Sequence, residues 1–297
     1  MKKVLIAILA VVALASCSNE ETPQGVKYPI LFGSTDTRAV AGLDNLKDGF
    51  RVYAFVQGNA GSTSFAKDVV YNADNRVWAF ESPEYWIPDT DYYFKAFYPA
   101  QLTAGTLAVD NTVTDDSVQN FTITNFDITE QEDIMVASAT ASVEAGASAP
   151  TNGSVVNLNF QHLLACVVIE LKSDIDDVMV ERVTLQEVSD RETCNSGSWS
   201  SSSNQTASLY YEEDTALTEE LKDITGGGFL VIPEQRDITL IIETTQKDYE
   251  VELSIHWLPG KKYTYTAEIK QNDIVFADAP GVAVWDSESA TGSVIIK

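Results

Sequence analysis

Cationic side chains, histidines and cysteines are scarce in this sequence, and each scarcity removes a class of function. Nineteen Lys and Arg stand against 44 Asp and Glu, giving a formal net charge of −25. A surface of that sign repels phosphates, so nucleic acid is excluded as a partner. The two histidines, His162 and His256, belong to no metal-ligand spacing. Acidic clusters such as "DTD" (89–91) and "DIDD" (174–177) lack the Asp-x-Asp-x-Asp-Gly loop with its distal Glu, and read as turns and solvated faces. "TGGGF" (225–229) opens no helix and carries no Lys for a phosphate, so it reads as a turn. His162, in "FQHLLACVVIEL", reads as a structural hydrogen-bonding residue and His256 as a strand-end residue. No catalytic residue, metal ligand or cofactor site is assigned, and the chain reads as a non-enzyme. Of the three cysteines, Cys166 sits in an apolar run and Cys194 in a polar one, without framework spacing. Two free thiols are expected there, although export permits a disulfide.

Long apolar runs are equally rare. The single clear one, Val4 to Leu14, is shorter than the ~20 residues that span a bilayer and follows Lys2 and Lys3. It reads as an export signal ending in Leu14-Ala15-Ser16-Cys17, which resembles the lipobox of bacterial lipoproteins. Residues 1–16 are then a signal peptide, and Cys17 carries the lipid that tethers the precursor to a membrane.

What the sequence has in abundance is period-2 alternation with turn residues every eight to twelve positions. "FRVYAFVQG" puts Val52, Ala54 and Val56 on one face and Tyr53 and Phe55 on the other. "DYYFKAFYPA" sets Tyr93, Lys95 and Phe97 against Phe94, Ala96 and Tyr98, with Pro99 ending the strand. "DITLIIETT", "YEVELSI" and "KKYTYTAEI" repeat the pattern, the last two joined by the Pro-Gly turn of "LPGKK". The expected fold class is all-β, with two β-sandwich domains in tandem. Residues 137–154 are poor in large apolar groups and place a boundary near 150, giving domains over 39–150 and 151–297.

The order of "ILFGSTDTRA", "YWIPDTDYYFKAFYPA", "EDIMVA", "FQHLLACVVIEL", "GGFLVIPEQ", "LPGKKYTYTAEI" and "GVAVWD", from about residue 28 to 286, resembles the fimbrillin family of Bacteroidales fimbrial proteins. The resemblance implies an outer membrane lipoprotein precursor with two transthyretin-like β-sandwiches, destined for a cell-surface fimbria. It further implies that a surface Arg-specific protease cuts Thr37-Arg38-Ala39 between Arg38 and Ala39. Residues 17–38 would then be a propeptide whose strand leaves with the lipid, opening a groove for a strand from another fimbrial subunit.

The residues around that bond fit such chemistry in their own right. Tyr28, Ile30 and Phe32 alternate with Pro29, Leu31 and Gly33, so one face can be buried while Pro29 restricts pairing at an edge. Three such side chains would contribute about 5 to 9 kcal/mol on burial. An edge position is expected, because a strand locked between two others could not be exchanged. The donor is expected in the tail 281–297, where Val282 and Val284 oppose Ala283 and Trp285 and the chain finishes on Val294, Ile295 and Ile296. The alternative for that segment is closure of its own C-terminal sandwich. The alternative function is a monomeric surface lipoprotein or tip adhesin that binds a glycan through Trp78, Tyr85 and Trp86; the sequence does not name the surface ligand.

Overall fold

A computed structural model describes residues 27–34, 46–58, 61–110, 120–151, 153–200, 205–271, 273–277 and 279–285. The chain is all-β. It begins β1 (Leu31–Ser34), β2 (Phe50–Gly58), β3 (Gly61–Asn72), β4 (Val77–Phe80), β5 (Thr90–Tyr98), β6 (Thr106–Val109), β7 (Phe121–Asp127) and β8 (Met135–Val143). Next come β9 (Val155–Leu158), β10 (Gln161–His162), β11 (Ala165–Ser173), β12 (Met179–Ser189), β13 (Arg191–Asn195), β14 (Ser198–Trp199) and β15 (Thr206–Ala216). The described chain closes with β16 (Lys222–Asp223), β17 (Phe229–Val231), β18 (Gln235–Thr244), β19 (Tyr249–His256), β20 (Lys261–Lys270), β21 (Asp273–Phe276) and β22 (Gly281–Val284).

One eight-stranded sheet, ordered β10-β8-β5-β2-β3-β4-β1-β9, folds over a first core. Its strands alternate as the sequence does: Phe50, Val52, Ala54 and Val56 of β2 and Phe94 and Ala96 of β5 point into that core. The opposite face of β5 sends Phe97 into a second core. A strand with both faces occupied must be apolar throughout, which "FKAF" nearly is.

The second core lies between a sheet ordered β16-β11-β20-β21 and a sheet ordered β15-β12-β18-β19. Val167 and Ile169 of β11, Tyr263 and Tyr265 of β20, and Leu240 and Ile242 of β18 fill it. A smaller sheet, β14-β13-β7-β6, pairs strands from both halves of the chain. Gln131 ties the halves again: its side-chain amide donates to the Leu230 carbonyl (2.9 Å) and accepts from the Leu230 N–H (2.9 Å).

These pairings correct the boundary expected at residue 150. Strands β9 and β10, over 155–162, belong to the first sheet, while β6 and β7 join β13 and β14. The first part of the apolar-poor stretch that suggested a linker, residues 137–143, belongs to β8, and its small side chains have a packing reason. Ala141 and Ala139 lie opposite Tyr92 and Phe94 of β5, so large rings on one strand are matched by small groups on the next.

The glycine run before β17 is the turn the sequence suggests. Asp223 fixes it, accepting from the N–H groups of Thr225 (2.7 Å) and Gly227 (2.9 Å). At Gly228, where φ is +117°, a Cβ would fall 2.6 Å from Cys166 Sγ and 3.1 Å from the Val167 carbonyl oxygen. Gly228→Ala should therefore cost about 1–3 kcal/mol through overpacking and a disfavoured φ, measured by urea unfolding. Cys166 and Cys194 are both buried free thiols. Burial pushes the Cys194 thiol up to about 11, so roughly one molecule in a thousand carries the thiolate at pH 8. Iodoacetamide at pH 8 should leave Cys194 unlabelled in the native protein and label it after denaturation, as peptide mass spectrometry would show.

Candidate functional site

The segment ahead of Arg38 is built into the first core. Phe32 is fully buried and Ile30 is 2% exposed, both facing inward from β1 and its lead-in. The Phe32 ring meets Phe80 and Phe94 edge-on at centroid separations of 5.4 Å each, and Phe50 at 6.3 Å. Such T-shaped contacts set the positive ring edge of one partner against the negative face of the other. The backbone is held as well: the Ile30 N–H donates to the Glu84 carbonyl (2.8 Å), and the Trp86 N–H donates to the Tyr28 carbonyl (3.1 Å).

Two expectations for this strand are corrected. Tyr28 shares the parity of Ile30 and Phe32 but is 36% exposed. It precedes the isolated bridge between Pro29 and Tyr85, so its side chain falls beyond the rim of the core that parity alone cannot locate. More consequentially, β1 is not an edge. It pairs antiparallel with β4 through Leu31↔Ala79 and Phe32↔Trp78, and parallel with β9 through Leu31↔Val155 to Ser34↔Leu158. The edge is β9, whose Val156 and Leu158 also face the core. Sequence reading placed β9 in the second domain and so missed it as a flank of the site; its signal was the short alternation of "VVNL".

The first core is thus a slot between β4 and β9 with β1 as its filling. Burying Ile30 and Phe32 contributes about 3–6 kcal/mol, against whole-domain stabilities of about 5–15 kcal/mol. Backbone pairing to both neighbours adds to this side-chain burial in holding the strand.

The expected donor segment is partly engaged in its own chain, which corrects that expectation for three of its residues. Val282 pairs with Tyr263 and Val284 with Lys261 as β22 lies antiparallel to β20. The Trp285 N–H donates to the Gly260 carbonyl (2.9 Å), and its indole stacks on His162 with centroids 3.8 Å apart and planes 7° from parallel. His162 Nδ1 lies 3.0 Å from an Asp133 carboxylate oxygen, so the histidine is a structural hinge-pin, as its sequence context suggested. Cys17, Arg38, Ala39, Val294, Ile295 and Ile296 lie outside the described residues.

The aromatic trio considered for glycan binding does not form a platform. Trp78 and Trp86 are each 4% exposed and spend their indole N–H groups on the carbonyls of Leu46 (2.7 Å) and Ser154 (3.4 Å), leaving only Tyr85 at the surface.

A leader for export and lipidation ahead of two packed β cores defines an exported all-β lipoprotein, and comparison with known proteins gives the family. The fimbrillin-like family model matches residues 37–284, and the chain belongs to that family. The lipid attachment site of prokaryotic membrane lipoproteins matches residues 1–18, the segment that contains Cys17. No curated protein sequence matches. The fold is similar to the crystal structure of a fimbrial protein from Bacteroides vulgatus, with TM-score 0.54 at 14% identity, covering 83% of this chain and 96% of that one. It is also similar to proteins assigned to cell adhesion from Bacteroides ovatus (TM-score 0.54, 14% identity, 89% and 100% covered) and Bacteroides uniformis (0.51, 16%, 89% and 100%). The protein is therefore an exported lipoprotein of the cell surface and its fimbriae.

Phe32→Ala should destabilise the protein by about 3–5 kcal/mol, whereas Tyr28→Ala should stay within about 0.5 kcal/mol of the parent. Urea unfolding followed by intrinsic fluorescence distinguishes the two.

Proposed function

We propose that this chain is a fimbrial subunit that assembles by protease-triggered strand exchange and serves adhesion. The observation that carries the reading is the burial of Ile30 and Phe32 by a segment that precedes Arg38 in the chain. A core residue on the far side of a cuttable bond can be lost by one hydrolysis. In this reading Cys17 carries the lipid, and an Arg-specific surface protease cleaves between Arg38 and Ala39. The strand then departs with residues 17–38, and a strand from another subunit fills the slot.

A strand locked between two others is expected not to exchange; here the enclosing strand is itself the four-residue sheet edge β9, so in this reading exchange is more demanding than at an edge, since two ladders must part. The enclosure also makes the replacement more specific. The incoming strand must run antiparallel to β4 and parallel to β9, and must present two large apolar side chains at positions two residues apart. That is β-augmentation with pockets for alternate side chains. Because residues 281–285 are held in their own sheet, the donor in this reading is the tail beyond Trp285, with Val294 and Ile296 sharing one parity.

The engagement of β22 favours a second reading, in which the subunit receives a strand but gives none, as a tip adhesin would, or stays monomeric. Treating the purified precursor with an Arg-specific protease separates the readings. A shaft subunit yields SDS-resistant ladders with Ala39 as the new N-terminus; Arg38→Ala prevents both, and deletion of residues 287–297 abolishes the ladders while leaving the cut. Cleavage without ladders supports the tip reading. Ladders that survive the deletion place the donor elsewhere.

A further inference from the structure

A cleft of about 850 Å³ opens where the outer face of β5 and β8 meets β10, the turn after β13 and the end of β22. In a chain with 44 acidic residues, none of the residues lining it is Asp or Glu, while Lys95, Lys261 and His162 line it. Lys95 is 4% exposed, and its ammonium donates one hydrogen bond, to Ser138 Oγ at 2.8 Å. The ammonium also sits 5.6 Å from the centroid of the Phe121 ring. A lysine has three N–H donors, and no carboxylate among the described residues pairs with this one. Burial alone accounts for the lowering of its pKa, with no neighbouring charge in compensation. Buried donors without partners are rare and call for an occupant.

The cleft is also lined by Trp285, which stacks on His162, and by Asn159 and Gln161. A cationic point charge, a flat apolar surface and two amides suit a pyranose ring that bears a carboxylate. The carboxylate meets the ammonium in a charge-assisted hydrogen bond, the C–H face of the ring covers the indole, and the hydroxyls meet the amides. The volume lies in the range of about 300–1,000 Å³ usual for small-molecule sites. An acidic peptide is less well matched, because the sheet-edge strand that borders the cleft, β10, is two residues long and offers little backbone to pair with.

We infer that this cleft is a binding site for a carboxylated sugar, with Lys95 as the carboxylate anchor and Trp285 as the ring platform. The site is separate from the β1 slot and does not require strand exchange.

The test is calorimetric titration of the purified full-length chain with glucuronate, N-acetylneuraminate, glucose, acetate and a tetraglutamate peptide. At least one sugar acid should bind ten-fold or more tightly than both glucose and acetate. Lys95→Met should weaken that binding by at least ten-fold, and Lys95→Gln should do the same if the first variant folds poorly; thermal unfolding checks both. Acetate binding equal to the sugar acids would reduce the cleft to a bare anion site and overturn the inference, as would tighter binding of tetraglutamate, unchanged binding in folded Lys95 variants, or no binding at all. Protease-induced ladders should form equally in Lys95→Met, so failure of polymerisation and failure of sugar binding are read separately.

Discussion

The structure depends on a phenyl ring supplied by a short strand that stands between the lipid attachment site and the bond proposed for cleavage. Phe32 sits among Phe50, Phe80 and Phe94 with no exposed surface, and Ile30 backs it from two residues earlier. Removing such a ring leaves a cavity whose walls cannot collapse, because each wall is itself a large ring fixed on a paired strand. The core is complete only while something of that shape occupies the slot. Under the proposed strand exchange this turns a packing requirement into an assembly requirement: the cut would not create affinity but expose affinity already used within the chain.

The strand's neighbours set the selectivity of that affinity. Being paired with β4 on one side and β9 on the other, β1 would in the proposed exchange be replaced only by a segment that satisfies an antiparallel and a parallel ladder together. A bare edge would accept nearly any extended chain and would invite aggregation. Enclosure by β9 would trade speed of exchange for fidelity. The same chain withholds much of its C-terminal region, since β22 is paired to β20 and anchored by the Trp285–His162 stack. In the proposed exchange, a donor segment from this chain is thus sought among the residues that follow Trp285.

Much of this was legible in the sequence, for reasons that are local. The alternation in "FRVYAFVQG" and "DYYFKAFYPA" fixed which side chains share a face, because period 2 is a property of the strand itself. The export leader and the inward parity of Ile30 and Phe32 were equally local signals. What sequence reading missed were relations between distant segments. The small residues of β8 looked like a linker until seen opposite Tyr92 and Phe94, and "VVNL" gave no sign that it would flank a strand more than 120 residues earlier. Parity also could not say where the core ends, which is why Tyr28 was wrongly placed inside it. The uncompensated Lys95 was invisible for the same reason: a lysine on an apolar strand is only informative once its surroundings are known to lack a carboxylate.

Hydrogen–deuterium exchange on the precursor, on the Arg-cut protein and on the cut protein supplied with a synthetic peptide of residues 27–34 tests the central claim most directly. The account predicts that amides in β4 and β9 are protected in the precursor, lose protection together after the cut, and regain it when the peptide is added. Protection of β4 and β9 that is unaffected by removal of the leading segment would contradict it, because the first core would then be complete without the strand.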